Sequence, residues 1–121
     1  MSVWFWAAVV GVGGLGAIAR FLLDAVVSQA ATSGLPFGTF AINMLGSFVL
    51  GLLTGLGVTG DALLLAGTAT IGSFTTFSTW MLESYRLAED TEQAAARANV
   101  VGSLALGFGA AFLGRTIGVQ L

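Results

Sequence analysis

Cysteine, histidine and lysine are all absent from the 121 residues, proline occurs once, and charged residues make up only 8% of the chain. Without cysteine or histidine there are no disulfides, no thiol nucleophile, no zinc or haem site of the usual kind and no triad built on histidine. The four basic residues are all arginine, against six acidic ones, for a net charge of -2. No basic patch exists to follow a phosphate backbone, which argues against a nucleic-acid partner. A soluble domain carries about 25% charged residues. So few charges could not cover the surface of one. An enzyme would have to work with carboxylates, arginines and hydroxyls alone, and no nucleophile–base pair is evident. The N-terminus lacks a basic stretch and a convincing cleavage site, so no removable signal peptide is expected.

Hydrophobic residues, by contrast, make up 56%, and the mean hydropathy is +0.94. That combination excludes disorder, which needs low hydrophobicity and high charge. The apolar residues fall into four runs, at about 3–27, 37–58, 62–83 and 98–119. Polar residues Ser28, Gln29, Thr32, Ser33 and Gly34, then Pro36, separate the first two runs, and Thr59, Gly60 and Asp61 separate the next two. The one charged loop, 83–97, holds Arg86, Glu89, Asp90 and Glu92. Each run suits a membrane helix of about 20 residues, and none alternates as a barrel strand would. The expected fold is an all-α membrane protein, one domain over 1–121, with four transmembrane helices in a lipid bilayer.

Glycine accounts for 18 residues, and small residues let membrane helices approach closely. Gly51 and Gly55 form one GxxxG pair, Gly114 and Gly118 another. Polar residues also keep helical spacing inside the runs. Thr39, Asn43, Ser47 and Thr54 share a face of the second run, as do Asn99, Ser103 and Gly107 in the fourth. In the first run Gly13, Gly16, Ala17, Arg20 and Asp24 share a face ending in two charges. An unpartnered polar group facing lipid is expensive, so these faces should point inward, as packing contacts or along a wet path.

The third run holds Gly72-Ser73-Phe74-Thr75-Thr76-Phe77-Ser78-Thr79-Trp80, with hydroxyls at five of nine positions. Glycine weakens a helix by about 1 kcal/mol relative to alanine. Serine and threonine compete for backbone hydrogen bonds. A broken third helix is expected here, its freed carbonyls able to meet a cation and its freed N–H groups or hydroxyls an anion.

Four stretches now carry a resemblance: Gly13-Gly14-Leu15-Gly16-Ala17-Ile18-Ala19-Arg20, Pro36-Phe37-Gly38-Thr39, Asn43-Met44-Leu45-Gly46-Ser47-Phe48, and 72–79. In this order and spacing the chain resembles the Fluc (CrcB) family of fluoride channels. The resemblance implies an antiparallel, dual-topology homodimer in the plasma (inner) membrane, two fluoride pores along its interface, and a structural sodium ion at the dimer centre. It assigns the sodium to backbone carbonyls of Gly72 and Thr75. It assigns the fluoride pathway to Asn43, Phe77, Ser78, Thr79, Trp80 and Ser103, and a structural or vestibule role to Arg20, Thr39 and Glu83. Two positions depart from the family pattern: Trp80 stands in place of a second phenylalanine, and Gly107 where a hydroxyl is common.

These assignments have a physical rationale. Fluoride is small and strongly hydrated, so a narrow pore must replace its water with donors. Asparagine and hydroxyl side chains donate without charge, and aromatic rings present a positive edge. Neutral donors also let the ion leave. The expected function is passive fluoride export from the cytoplasm, which relieves fluoride toxicity. The alternative is a small four-helix, dual-topology, proton-coupled multidrug exporter. That class needs a membrane-embedded carboxylate, and the central stretches of the first, second and fourth runs have none. Four spans would put Arg115 on one side and Arg86, Arg97 and Arg20 on the other. This arginine bias is weak and compatible with insertion both ways.

Overall fold

A computed structural model describes residues 1–30 and 35–121. The turn positions Thr32, Ser33 and Gly34 lie outside the described residues. The described residues form helices joined by turns, with no strand among them. In order it forms α1 (Val3–Ala30), α2 (Phe37–Gly55), α3 (Gly60–Leu63), a π-helical stretch (Leu64–Ile71), α4 (Gly72–Phe74), α5 (Ser78–Glu89), α6 (Gln93–Arg97), a second π-helical stretch (Ala98–Gly102) and α7 (Ser103–Gln120). Among the described residues three helices are long and apolar enough to cross a membrane: Val3–Ala30, Phe37–Gly55 and Gln93–Gln120. The segment 60–89 is also helical but is interrupted at Thr75, whose backbone is extended (φ -82, ψ 163).

The element ends differ from the expected ones for local reasons. Helix α1 continues past residue 27 to Ala30, and Ser28 turns its hydroxyl back onto Asp24 Oδ1 at 3.4 Å. Helix α2 stops at Gly55, not at 58. Gly57 adopts a left-handed φ of 77°, and two bonds close the end: Gly57 N–H donates to the Thr54 carbonyl and Val58 N–H to that of Leu53, both at 3.1 Å. This is a Schellman closure, which favours glycine at the left-handed position. The same closure ends α5, with Thr91 left-handed (φ 60) and the Glu92 N–H donating to the Leu87 carbonyl at 2.9 Å. The charged segment 83–97 is therefore mostly helix, reduced to a turn at Asp90, Thr91 and Glu92. The fourth helix starts at Gln93, ahead of 98, because Ala94, Ala95 and Ala96 are strong helix formers.

Backbone-to-backbone approach holds the helices together. A Cβ at Gly51 would strike the Ala111 carbonyl, and one at Gly55 that of Arg115. From the other side, a Cβ at Gly114 would strike the Phe48 carbonyl, and one at Gly118 that of Leu52. The two GxxxG pairs thus face each other across α2 and α7. Helix α1 meets the interrupted segment the same way: Gly16 leaves room for the Thr70 carbonyl, and Gly13 for Ser73 Oγ. Thr70 widens that turn by donating its hydroxyl to the Leu65 carbonyl, five residues back, at 2.8 Å. Overpacking a tight contact costs about 1–3 kcal/mol. Gly114→Val is accordingly expected to lower the unfolding temperature in detergent by several degrees or to prevent folding. Gly109→Ala, where an added Cβ meets nothing within 4 Å, should leave it unchanged. Thermal scans read out by size-exclusion chromatography check both.

Candidate functional site at the helix break

In an unbroken helix the Thr76 N–H would bond the Gly72 carbonyl, and the Thr79 N–H that of Thr75. Neither bond forms. The Thr76 N–H donates to Asn43 Oδ1 at 2.9 Å, and the Thr79 N–H donates to Thr76 Oγ1 at 3.3 Å. Asn43 completes a two-point clamp by donating its Nδ2 to the Thr76 carbonyl at 2.9 Å. Because an N–H and a carbonyl lie opposite the amide, only one orientation of the Asn43 side chain satisfies both. No other donor among the described residues reaches the Gly72 or Thr75 carbonyls. The break therefore exposes the carbonyl end of one helical piece and the N–H end of another. The first suits a cation and the second an anion.

Local packing fixes this geometry. Thr75 donates its hydroxyl to the Ile71 carbonyl at 3.1 Å. Its methyl group lies where a Cβ at Gly46 would be, so Gly46 must stay small. Thr76 caps α5 with its hydroxyl, which also donates to Thr79 Oγ1 at 3.1 Å. At Gly72 an added Cβ would meet nothing within 4 Å, and the residue is exposed in the single chain.

A cavity of about 530 Å³ lies alongside. Asn43, Gly72, Thr75, Phe77, Trp80, Ser103 and Gly107 line it, together with Ser47 and Thr76. No charged side chain is in its lining. The Asn43 amide has two N–H groups and commits one to Thr76, which leaves the other for the cavity. Phe77 and Trp80 pack edge to face, ring centroids 5.6 Å apart, with Phe77 70% exposed in the single chain. Gly107 has space around it, since a Cβ there would sit 3.4 Å from Met44 Cε and 3.8 Å from Ser47 Oγ.

The other expected site residues lie apart from this lining. Ser78 is exposed and Thr79 half-buried on the first turn of α5. Thr39, 3% exposed, donates its hydroxyl to Glu83 Oε1 at 2.9 Å. Glu83 Oε2 is buried without a partner among the described residues. Arg20 is half-buried on α1, one turn before Asp24. Thr54, read as sharing the Asn43 face, turns its hydroxyl onto its own helix at the Gly51 carbonyl, 2.8 Å away. Sequence reasoning missed Thr76, which accepts the clamp and caps α5. Its place three residues before Thr79 is the spacing of a helix cap and could have revealed it.

The family model described as "CrcB-like protein, Camphor Resistance (CrcB)" matches residues 7–115. The chain belongs to the CrcB family. Relatives of this CrcB chain include proteins named fluoride-specific ion channel FluC 2. The one from Mycobacterium bovis is 46% identical over 117 residues, covering 97% of this chain and 93% of the relative. The one from Haloarcula marismortui is 49% identical over 100 residues, 82% of each. A fluoride-specific ion channel FluC 1 from Leifsonia xyli is 46% identical over 110 residues, 88% of this chain and 80% of the relative.

The clamp on Thr76 predicts a graded response in this CrcB protein. Asn43→Leu leaves a half-buried N–H and a half-buried carbonyl unpaired, at up to about 1–3 kcal/mol each. Thr76→Val removes the cap and the bond to the Thr79 hydroxyl but keeps the Asn43 clamp, at about 0.5–2 kcal/mol. Denaturant unfolding in detergent should place Asn43→Leu below Thr76→Val in stability.

Proposed function

We propose that this chain is the subunit of a fluoride-selective channel that lets fluoride leave the cytoplasm passively. The observation that carries the reading is the cavity beside the break. It offers neutral donors and aromatic rings at Asn43, Phe77, Trp80 and Ser103 and no charge in its lining. Such a lining can replace water around a small anion without trapping it. Ser78 and Thr79, at the positive end of α5, extend the donor track beyond the cavity. The names of the relatives point the same way. A proton-coupled exporter would need a carboxylate in this lining, and there is none. Fluoride enters cells as its neutral acid and dissociates inside, so an anion leak of this kind relieves the trap.

The channel is a four-span, dual-topology, antiparallel homodimer in the plasma (inner) membrane, with 60–89 as the third span. Broken backbone at membrane depth must be buried in protein or line a cavity. Yet Gly72 and Phe77 are exposed in the single chain, which supports a second copy over this face. The freed Gly72 and Thr75 carbonyls of both copies fit a hard cation, and sodium is the ion they would hold. Bound there, it would supply a fixed positive charge close to the anion path. Arg20, Thr39 and Glu83 shape the approach.

Protein in liposomes should release fluoride down its gradient and leave chloride inside. Phe77→Ile, which keeps bulk and removes the ring edge, and Asn43→Asp, which places charge beside the path, should each cut fluoride efflux at least about tenfold. Equal chloride flux, or near-normal flux in both variants, overturns the reading. A single cysteine at Asp90, on the short turn after α5, should be labelled from both sides of the membrane. Labelling from one side alone rejects dual topology.

A further inference from the structure

Trp80 brings an indole N–H to the wall of the cavity, and the structure shows where it goes. Trp80 Nε1 donates to the Asn99 carbonyl at 3.1 Å. Asn99 lies in the π-helical stretch of the fourth helix, and the same carbonyl accepts the Ser103 N–H. Its side chain closes a circuit. Asn99 Nδ2 donates to Ser84 Oγ at 2.8 Å, and Ser84 Oγ donates to the Trp80 carbonyl at 2.8 Å. Ser103 Oγ also reaches Asn99 Oδ1, at 3.4 Å. Ser84 is buried, at 6% exposure. Trp80 and Ser103 line the central cavity, whereas Asn99 and Ser84 do not.

We propose that Asn99 is a positioning residue that, with Ser84, draws the Trp80 indole N–H out of the cavity and leaves only ring carbons facing it. The proposal rests on the reading of that cavity as a fluoride path. Burial alone explains why an indole N–H finds some partner. It does not explain a circuit in which the residue that accepts the indole N–H is tied, through Ser84, to the backbone of the same tryptophan. A free indole N–H in the cavity that also holds the free Asn43 N–H would add a second strong donor in a poorly hydrated space. An ion held by both would leave slowly, and conduction requires departure. The circuit thus lets a tryptophan serve where a phenylalanine is the family's choice.

The test uses full-length protein carrying Trp4→Phe and Trp6→Phe, so that Trp80 is the sole indole. Asn99→Ala and Ser84→Ala keep the Asn99 carbonyl but cut the side-chain tie that holds it against the indole, so each should shift the Trp80 emission maximum and make it respond to fluoride. Each should also lower maximal fluoride efflux about tenfold, the worth of one hydrogen bond, and lower the half-saturating fluoride concentration with it. With Trp80→Phe present, adding Asn99→Ala should change efflux less than twofold, because no indole N–H remains to release. Unchanged emission in both variants, or the same loss of efflux with and without Trp80→Phe, overturns the proposal. If the parent protein passes no fluoride, the functional reading fails, and the emission shift alone still decides whether Asn99 positions Trp80.

Discussion

The hydrogen bonds between the Asn43 side chain and the Thr76 backbone are the constraint on which the rest depends. A helix that opens inside a membrane leaves polar groups that lipid cannot satisfy. Asn43 takes one N–H and one carbonyl at the opening, and Thr76 takes the next N–H with its own hydroxyl. What remains without a partner among the described residues is a short row of carbonyls ending α4 and, facing it, the N–H groups of Phe77 and Ser78 that open α5. Two side chains, one on α2 and one in the break itself, thus turn a weak helix into a defined break, with carbonyls on one side of it and N–H groups on the other.

The close glycine contacts make that arrangement possible. Asn43 can reach Thr76 only if α2 lies against the interrupted segment, and Gly46 opens the space into which the Thr75 methyl fits. On the opposite side, Gly13 and Gly16 bring α1 onto the π-helical turn that leads into the break. The facing GxxxG pairs of α2 and α7 set the fourth helix close enough for Ser103 and Gly107 to complete the cavity wall. Packing and ion chemistry are therefore not alternative explanations of the small residues. Close approach is what gathers neutral donors around one space.

Much of this was legible from residue order. Apolar runs marked the helices because lipid demands length and little else. The break was visible at 72–80 because hydroxyls and a glycine undermine a helix in a way that tertiary packing here reinforces. The two GxxxG pairs announced a contact, though not that they would face each other. Other features depend on partners distant in sequence. The choice of Thr76 as the partner of Asn43, and of Asn99 as that of Trp80, joins positions 33 and 19 residues apart, and no local spacing records it. The π-helical turns arise from single carbonyl shifts, which composition does not reveal. The segment 83–97 looked like a loop because charge usually marks one, whereas its alanines extend the fourth helix and a left-handed Thr91 carries the turn.

The most direct measurement of the central claim is a trans-hydrogen-bond NMR correlation from the Thr76 amide nitrogen in the folded protein. The account predicts coupling to the side-chain Cγ of Asn43 and none to the carbonyl carbon of Gly72. Coupling to Gly72, the signature of an unbroken helix, would contradict it.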